Sequence, residues 1–122
     1  MIDHVPARGA PPCAGLHLIV DLYGALHLDD LALMRRALHD CVQAAGATLL
    51  HIHLHRFESN GGISGVAVLA ESHIAVHSWP ETGYAAFDVF MCGQADPRAA
   101  IAVLQSAFEP ARIQVRELVR GG

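Results

Sequence analysis

The sequence predicts an α+β fold: a two-layer sandwich in which an antiparallel β-sheet carries two helices on one face. Two helical segments lie among strand-like segments, in the order strand, helix, several strands, helix, strand. The turn signal Ser59-Asn60-Gly61-Gly62 joins two of the strands and predicts that they pair antiparallel. A chain of 122 residues has room for one core, so we expect a single domain.

The domain is expected to span residues 15–122. Residues 1–14 contain three prolines and no long apolar run. This composition indicates a flexible N-terminal lead-in and not a signal peptide.

The first half of the domain predicts strand, helix, strand. Residues 16–23 form a short apolar run typical of a strand. Asp29 or Asp30 is suited to cap the helix that follows, and Gly46 to end it. Residues 48–57 alternate as the next strand. The alternation places on one face His51, His53 and His55, and on the other Leu50, Ile52 and Leu54.

The second half predicts four more strands and a second helix. The strand-like segments are residues 63–70, 74–79, 84–92 and 113–119. Asp96-Pro97 begins the helix, because proline is favoured in the first turn. The apolar spacing of this helix predicts an inner face of Ile101, Leu104, Gln105 and Phe108.

Composition excludes several classes of protein. All eight basic residues are arginines scattered along the chain, which argues against nucleic-acid binding. No apolar run approaches the roughly 20 residues of a membrane span. The three cysteines are odd in number and form no CxxC pair, so reduced thiols and a cytoplasmic location are expected. Hydrophobic residues make up 52% and charged residues 16%, which favours a surface buried in a homodimer.

A chemically informative junction lies at Glu71-Ser72-His73, where one strand-like segment ends and another begins. The backbone must bend there. A serine hydroxyl held against the preceding carbonyl group is able to attack it and move the acyl group from nitrogen to oxygen. Elimination of the resulting ester leaves dehydroalanine, which hydrolyses to a pyruvoyl group and ammonia. Taken alone, a serine at a strand junction is more often a turn hydroxyl.

Two long segments around this junction carry a family resemblance. They read AESHIAVHSWPE at residues 70–81 and GYAAFDVFMCG at residues 83–93, and HLIVDLYG and LDD precede them in the expected order. The chain resembles the S-adenosylmethionine decarboxylase family, specifically its short prokaryotic proenzymes. The resemblance implies self-cleavage between Glu71 and Ser72 into residues 1–71 and 72–122, with a pyruvoyl group derived from Ser72.

The resemblance also implies roles for three helpers of Ser72. The pyruvoyl group would form a Schiff base with a small amine substrate. Ser64 would assist the acyl shift, and His77 would be the base for the elimination. Cys92 would donate a proton to the substrate carbon, although a strand cysteine is more often a small core residue.

For the substrate, the resemblance implies S-adenosylmethionine, converted to the aminopropyl donor of spermidine synthesis. Phe57 would stack on the adenine, Glu81 would bind the ribose hydroxyls, and His55 would border the pocket. The loop from Phe57 to Ser64 departs from the family, being one residue longer and lacking proline. An alternative is therefore ornithine or arginine, whose distal cation would meet Glu58 or Glu81.

Two other functions are weighed against this one. The three histidines at 51, 53 and 55 alternate along one strand and offer a Zn²⁺ or Ni²⁺ site. Histidines that line a polar sheet face or a dimer interface are the more common case, so no metal is predicted. A homologue that cannot process itself and activates a competent partner is disfavoured. The chain keeps all four of Ser64, Ser72, His77 and Cys92.

Overall fold

The computed structural model describes residues 15–121; the lead-in predicted for residues 1–14 lies outside them. Neither described helix has the length and hydropathy needed to cross a bilayer. The elements, in chain order, are β1 (Gly15–Tyr23), α1 (Leu31–Ala45), β2 (Leu49–Arg56), β3 (Ile63–Leu69), β4 (Ser72–Trp79), β5 (Tyr84–Cys92), α2 (Ala99–Phe108) and β6 (Arg112–Arg120).

The six strands form one sheet in the order β2-β3-β4-β5-β1-β6, and every neighbouring pair is antiparallel. Strands β2 to β5 follow each other as a meander. Helix α1 carries the chain from β1 to the far edge strand β2, and α2 carries it from β5 to β6. The predicted α+β architecture is confirmed.

The two faces of the sheet differ in burial. In β5, buried and half-buried residues alternate without exception, as a strand with one covered face requires. The covered face, called the inner face, packs against the helices and contributes to the core from β5 Ala85, Phe87, Val89 and Met91. On the opposite, outer face, no element of the described chain covers the sheet.

The ends of α1 follow the predicted capping chemistry. The Asp30 carboxylate accepts a hydrogen bond from the Leu33 amide at 3.0 Å, and Gly46 ends the helix with a φ of 77°. Helix α2 begins at Ala99, after a turn that contains Pro97, and its buried residues are Ala100, Leu104 and Phe108. The predicted inner position of Gln105 is wrong, because Ala100 takes the place against the core and Gln105 is exposed.

The predicted face of Leu50 is also wrong. The pairing of β2 with β3 shifts register between Leu49 and His51, which makes Leu50 the extra residue of a β-bulge. Leu50 is consequently 63% exposed, whereas Leu49 packs against the core beside Ile52 and Leu54. A strict alternation cannot foresee one inserted residue.

The bulge gives a matched pair of stability predictions. Leu49→Ala removes apolar contacts with the core and should lower the free energy of unfolding by about 1–2 kcal/mol. Leu50→Ala, one residue away, should change it by less than about 0.5 kcal/mol, because that side chain is mostly in water. Urea unfolding of both variants measures the difference. Equal losses would contradict the placement of the bulge.

Candidate active site

The predicted junction is a tight turn between β3 and β4. Leu69 pairs with Ser72, so only Ala70 and Glu71 connect the two strands. Glu71 has a φ of 59°, in the left-handed region that costs a residue with a side chain about 1–2 kcal/mol. The backbone thus bends at the peptide bond for which the family resemblance predicts cleavage.

One residue of the neighbouring strand touches both reacting groups of this junction. The Cys92 thiol donates a hydrogen bond to the Glu71 carbonyl oxygen at 2.8 Å. The Cys92 backbone amide donates to the Ser72 Oγ at 3.1 Å. Cys92 therefore polarises the carbonyl group of the bond and holds the hydroxyl next to it.

The other described cysteine has a different environment. Cys41 is fully buried, and this burial raises the pKa of its thiol to about 12. Its thiol makes a long contact of 3.8 Å with the Ala100 carbonyl oxygen, between the two helices. Cys41 is a core residue, whereas Cys92 is half-buried and within reach of the junction.

A cavity of ≈ 470 Å³ lies beside the junction. It is lined by Glu71, Ser72, His73, Phe90, Arg120 and Gly121. His73 pairs with Phe90 across β4 and β5, and both lie on the outer face. A small molecule entering from the outer face would therefore reach Ser72. We call this part of the molecule the junction end of the sheet, defined by Glu71, Ser72 and Cys92.

Ser64 and His77 form a second pair, at the other end of the same strands. They lie directly opposite each other in β3 and β4, and the Ser64 Oγ is 3.0 Å from the His77 Nδ1. A cavity of ≈ 300 Å³ adjoins them. It is lined by Phe57, Ser59, Asn60, Gly62, Ser64, His77, Ser78 and Trp79. We call this the far end, defined by Ser64, His77, Phe57 and Glu81.

The residues predicted to bind substrate gather at the far end. Phe57 is 45% exposed, and its ring meets the ring of His55 edge-on at 4.5 Å between centroids. The Glu81 carboxylate, in the turn between β4 and β5, accepts a hydrogen bond from the Asn60 side-chain amide at 3.0 Å. Sequence reasoning singled out Phe57 and Glu81 but missed Asn60.

Within one chain, the two ends are too far apart to act on the same bond. Ser72 and His77 lie five residues apart on β4, which corresponds to roughly 17 Å at a rise of about 3.3 Å per residue. The structure therefore brings Ser72 to Cys92 and Ser64 to His77, but does not bring the first pair to the second.

A cluster of possible metal ligands lies on the outer face, unnoticed in the sequence. Potential ligand atoms of His17, His73 and Asp88 lie within 4.8 Å of one another. Arg120 donates to the His17 Nδ1 at 3.2 Å, which assigns the ring proton to Nε2, 2.6 Å from Asp88. The protonated Nε2 has no free lone pair to bind a metal. The cluster is therefore better described as a hydrogen-bond network of Arg120, His17 and Asp88.

The histidines weighed as a metal site from the sequence are all exposed on the outer face of the edge strand β2. Among residues 15–121, no group of three ligand atoms close enough to share an ion includes His51, His53 or His55.

Comparisons with known proteins identify similar chains. The family model described as S-adenosylmethionine decarboxylase matches residues 16–121. The S-adenosylmethionine decarboxylase proenzyme of Thermomicrobium roseum is 45% identical over 108 residues, covering 88% of this chain and 93% of that protein. The proenzyme of the same name from Methanococcus maripaludis is 46% identical over 110 residues, covering 88% and 89%. The crystal structure of the adenosylmethionine decarboxylase from Aquifex aeolicus superposes with a TM-score of 0.79 at 34% identity, covering 92% and 94%.

Proposed function

The chain belongs to the S-adenosylmethionine decarboxylase family, and we propose that it decarboxylates S-adenosylmethionine with a pyruvoyl group made from its own Ser72. The double contact of Cys92 with the Glu71 carbonyl oxygen and the Ser72 hydroxyl carries this proposal. The relatives' name, proenzyme, supports the self-processing step. The product would be the aminopropyl donor for polyamine synthesis.

The first step is an acyl shift within the chain. The Ser72 Oγ attacks the carbonyl carbon of Glu71, the peptide C–N bond breaks, and the hydroxyl proton ends on the freed nitrogen of Ser72. Negative charge develops on the Glu71 carbonyl oxygen as the C–O bond forms. The Cys92 thiol, 2.8 Å away, donates its hydrogen bond to that oxygen.

The second step breaks the new ester. A base removes the proton on the Cα of Ser72, and Glu71 leaves as a carboxylate at the end of residues 1–71. Hydrolysis of the remaining dehydroalanine releases ammonia and leaves a pyruvoyl group at the start of residues 72–122. We assign the base to His77, since a neutral imidazole accepts protons near pH 7.

The junction end fits such a group. When formed, the pyruvoyl carbonyl supplies an electrophile for the substrate amine and an electron sink for the departing carbon dioxide. Cys92, half-buried beside Ser72, is placed to return a proton to the substrate carbon. Phe90 and His73 line the cavity beside Ser72, and their rings would limit the access of water to the reacting groups.

The separation of the two ends implies a homodimer. If Ser64 and His77 serve the junction, they must come from a second copy, because their own chain holds them roughly 17 Å away. The outer face, which exposes Val68, Trp79 and Leu118, is the surface available for pairing. A two-fold axis through paired outer faces would lay the far end of each copy over the junction end of the other. Each dimer would then contain two composite sites.

The composite arrangement would also bring the proposed substrate-binding residues to the junction. Phe57 and Glu81 share the far end with His77, so they would enter the same composite site from the partner copy. An aromatic ring stacks on adenine and attracts a sulfonium cation, and a carboxylate accepts hydrogen bonds from ribose hydroxyls. The names of the reported relatives favour S-adenosylmethionine over ornithine or arginine.

The test is to purify the protein, determine its mass, and measure release of carbon dioxide from S-adenosylmethionine, ornithine and arginine. We expect two fragments that meet at Glu71-Ser72 and turnover of S-adenosylmethionine alone. An intact chain, or turnover of ornithine or arginine without S-adenosylmethionine, would refute the proposal.

Cys92 gives a prediction for both stages. Cys92→Ala removes the thiol donor and should slow cleavage about tenfold, the cost of roughly 1.4 kcal/mol of hydrogen bonding. The fraction that is cut should decarboxylate at least about 100-fold more slowly, because it lacks the proton donor. Rates from gel densitometry and from carbon dioxide release measure the two effects. The exposed Gln94→Ala is the control, and a Cys92→Ala enzyme as fast as this control would exclude both roles.

A further inference from the structure

We propose that Asn60, in the loop after Phe57, is a positioning residue that orients Glu81 and thereby sets the affinity for the ribose of the substrate. The inference rests on the proposed function, since it deepens the role given to Glu81. Asn60 makes no contact with the reacting groups and would act only through the carboxylate.

Asn60 uses both ends of its side-chain amide. Its Oδ1 accepts from the Gly62 backbone amide at 2.8 Å, which fixes the side chain within its own loop. Its Nδ2 donates to the Glu81 Oε2 at 3.0 Å, 21 residues along the chain. The loop itself is closed by hydrogen bonds between Phe57 and Gly62 and between Gly61 and Phe57, both at 2.8 Å. The amide group therefore presents its donor to Glu81 from a firmly held backbone.

The bond joins the loop after Phe57 to the turn that carries Glu81. Glu81 lies in the turn between β4 and β5, which is held internally by the Thr82 and Gly83 amides donating to Trp79 and Pro80. Those contacts fix the backbone of the turn but not the exposed carboxylate of Glu81. Asn60 supplies that missing restraint, and it lines the same cavity as Phe57 and His77.

The restraint leaves one carboxylate oxygen for the substrate. Among the hydrogen bonds of residues 15–121, Glu81 Oε2 is taken by Asn60, and none involves Oε1. A carboxylate held by one oxygen offers the other in a fixed direction, which lowers the entropy lost when a hydroxyl binds. Asn60 thus presents Glu81 to a ribose hydroxyl.

Asn60→Asp tests the bond with the least disturbance of the loop. The substitution keeps the oxygen that accepts from Gly62 but replaces the Nδ2 donor by an oxygen that repels Glu81. We expect the KM for S-adenosylmethionine to rise at least about fivefold, with kcat within about twofold of wild type. The rate of self-cleavage should stay unchanged, and the Tm should fall by no more than about 3 °C, since one exposed pair contributes little to stability.

Two companion variants distinguish positioning from a general effect on the turn. The first adds Glu81→Gln to Asn60→Asp, so that the new amide at position 81 donates to the new carboxylate at position 60. Its own oxygen then stays free for the ribose, and KM should fall back toward the wild-type value. The second, Thr82→Ala, removes the hydroxyl that donates to the Trp79 carbonyl oxygen at 3.3 Å without touching Glu81, and should leave KM unchanged.

The outcomes distinguish a failure of the proposed function from a failure of the role proposed for Asn60. A wild-type enzyme that does not act on S-adenosylmethionine overturns the proposed function. A wild-type enzyme that does, combined with an Asn60→Asp variant of unchanged KM, overturns the role of Asn60 alone. A variant whose cleavage and Tm fall together with its affinity also overturns it, because that pattern belongs to a loop that has lost its structure.

Discussion

Ser72→Ala is expected to leave the chain intact at 122 residues, whereas the wild-type protein is expected to yield residues 1–71 and 72–122. Alanine has no hydroxyl to attack the Glu71 carbonyl carbon, so the acyl shift cannot begin and the loss should be complete. No other residue replaces this nucleophile, because the hydroxyl must belong to the residue whose nitrogen is released. Without the cut, no decarboxylation should be detectable.

Intact-mass measurement checks this result. The second wild-type fragment should be lighter by one ammonia than a fragment that begins with serine, because a ketone replaces its amine. Ser106→Ala, an exposed serine on α2, is the matched control and should be cut like the wild type. A cut Ser72→Ala chain would mean that the bond is broken by another mechanism.

The fold was largely predictable because each face of the sheet has its own composition. The predicted bounds of β5, residues 84–92, match the strand in the structure, where half-buried and buried residues alternate from Tyr84 to Cys92. The ends of α1 carry residues with specific capping chemistry, Asp30 and Gly46. The position of Leu50 was not predictable, because a bulge depends on the pairing of two strands and leaves no mark in one of them.

The site was predictable in its parts but not in its arrangement. The resemblance marked Ser72 and Cys92, and the pairing of neighbouring strands explains why they touch. The hydrogen bonds from Arg120 to His17 and from His17 to Asp88 were not predicted. They join three strands, β6, β1 and β5, that become neighbours only through long-range pairing. The contact of Asn60 with Glu81 joins the loops of two separate hairpins, and no local pattern reports such a meeting.

The separation of His77 from Ser72 follows from strand geometry alone. Five steps along a strand cover roughly 17 Å and reverse the face, so a residue at that spacing cannot assist its own junction. A helper at this distance is useful only if another copy of the chain delivers it. The spacing of Ser72 and His77 in this chain is thus an argument for assembly as much as for chemistry.

If each site combines residues of two copies, two inactive variants should restore each other in a mixed dimer. Homodimers of Ser72→Ala should not cleave themselves at all. Homodimers of His77→Ala should cleave themselves at least about 100-fold more slowly than the wild type. In a mixed dimer, one composite site combines the intact Ser72 of the His77→Ala copy with the intact His77 of the other. Co-expression with different tags should therefore cut about half of the His77→Ala chains, since random pairing places half of them in mixed dimers.

The matched control places both substitutions in one chain and co-expresses it with the wild type. Each site of that mixed dimer lacks either Ser72 or His77, so its wild-type copy should remain uncut. This mixed dimer carries one copy of each substitution, as does the mixed dimer of the two single variants. Purification on one tag and then on the other isolates the mixed dimers, and mass spectrometry of their two chains reports which copy was cleaved. If His77 acts within its own chain, the pattern reverses: the His77→Ala chain stays intact in every dimer, while the wild-type chain is cut beside the doubly substituted one. The two arrangements of the site thus give opposite results on the same pair of samples.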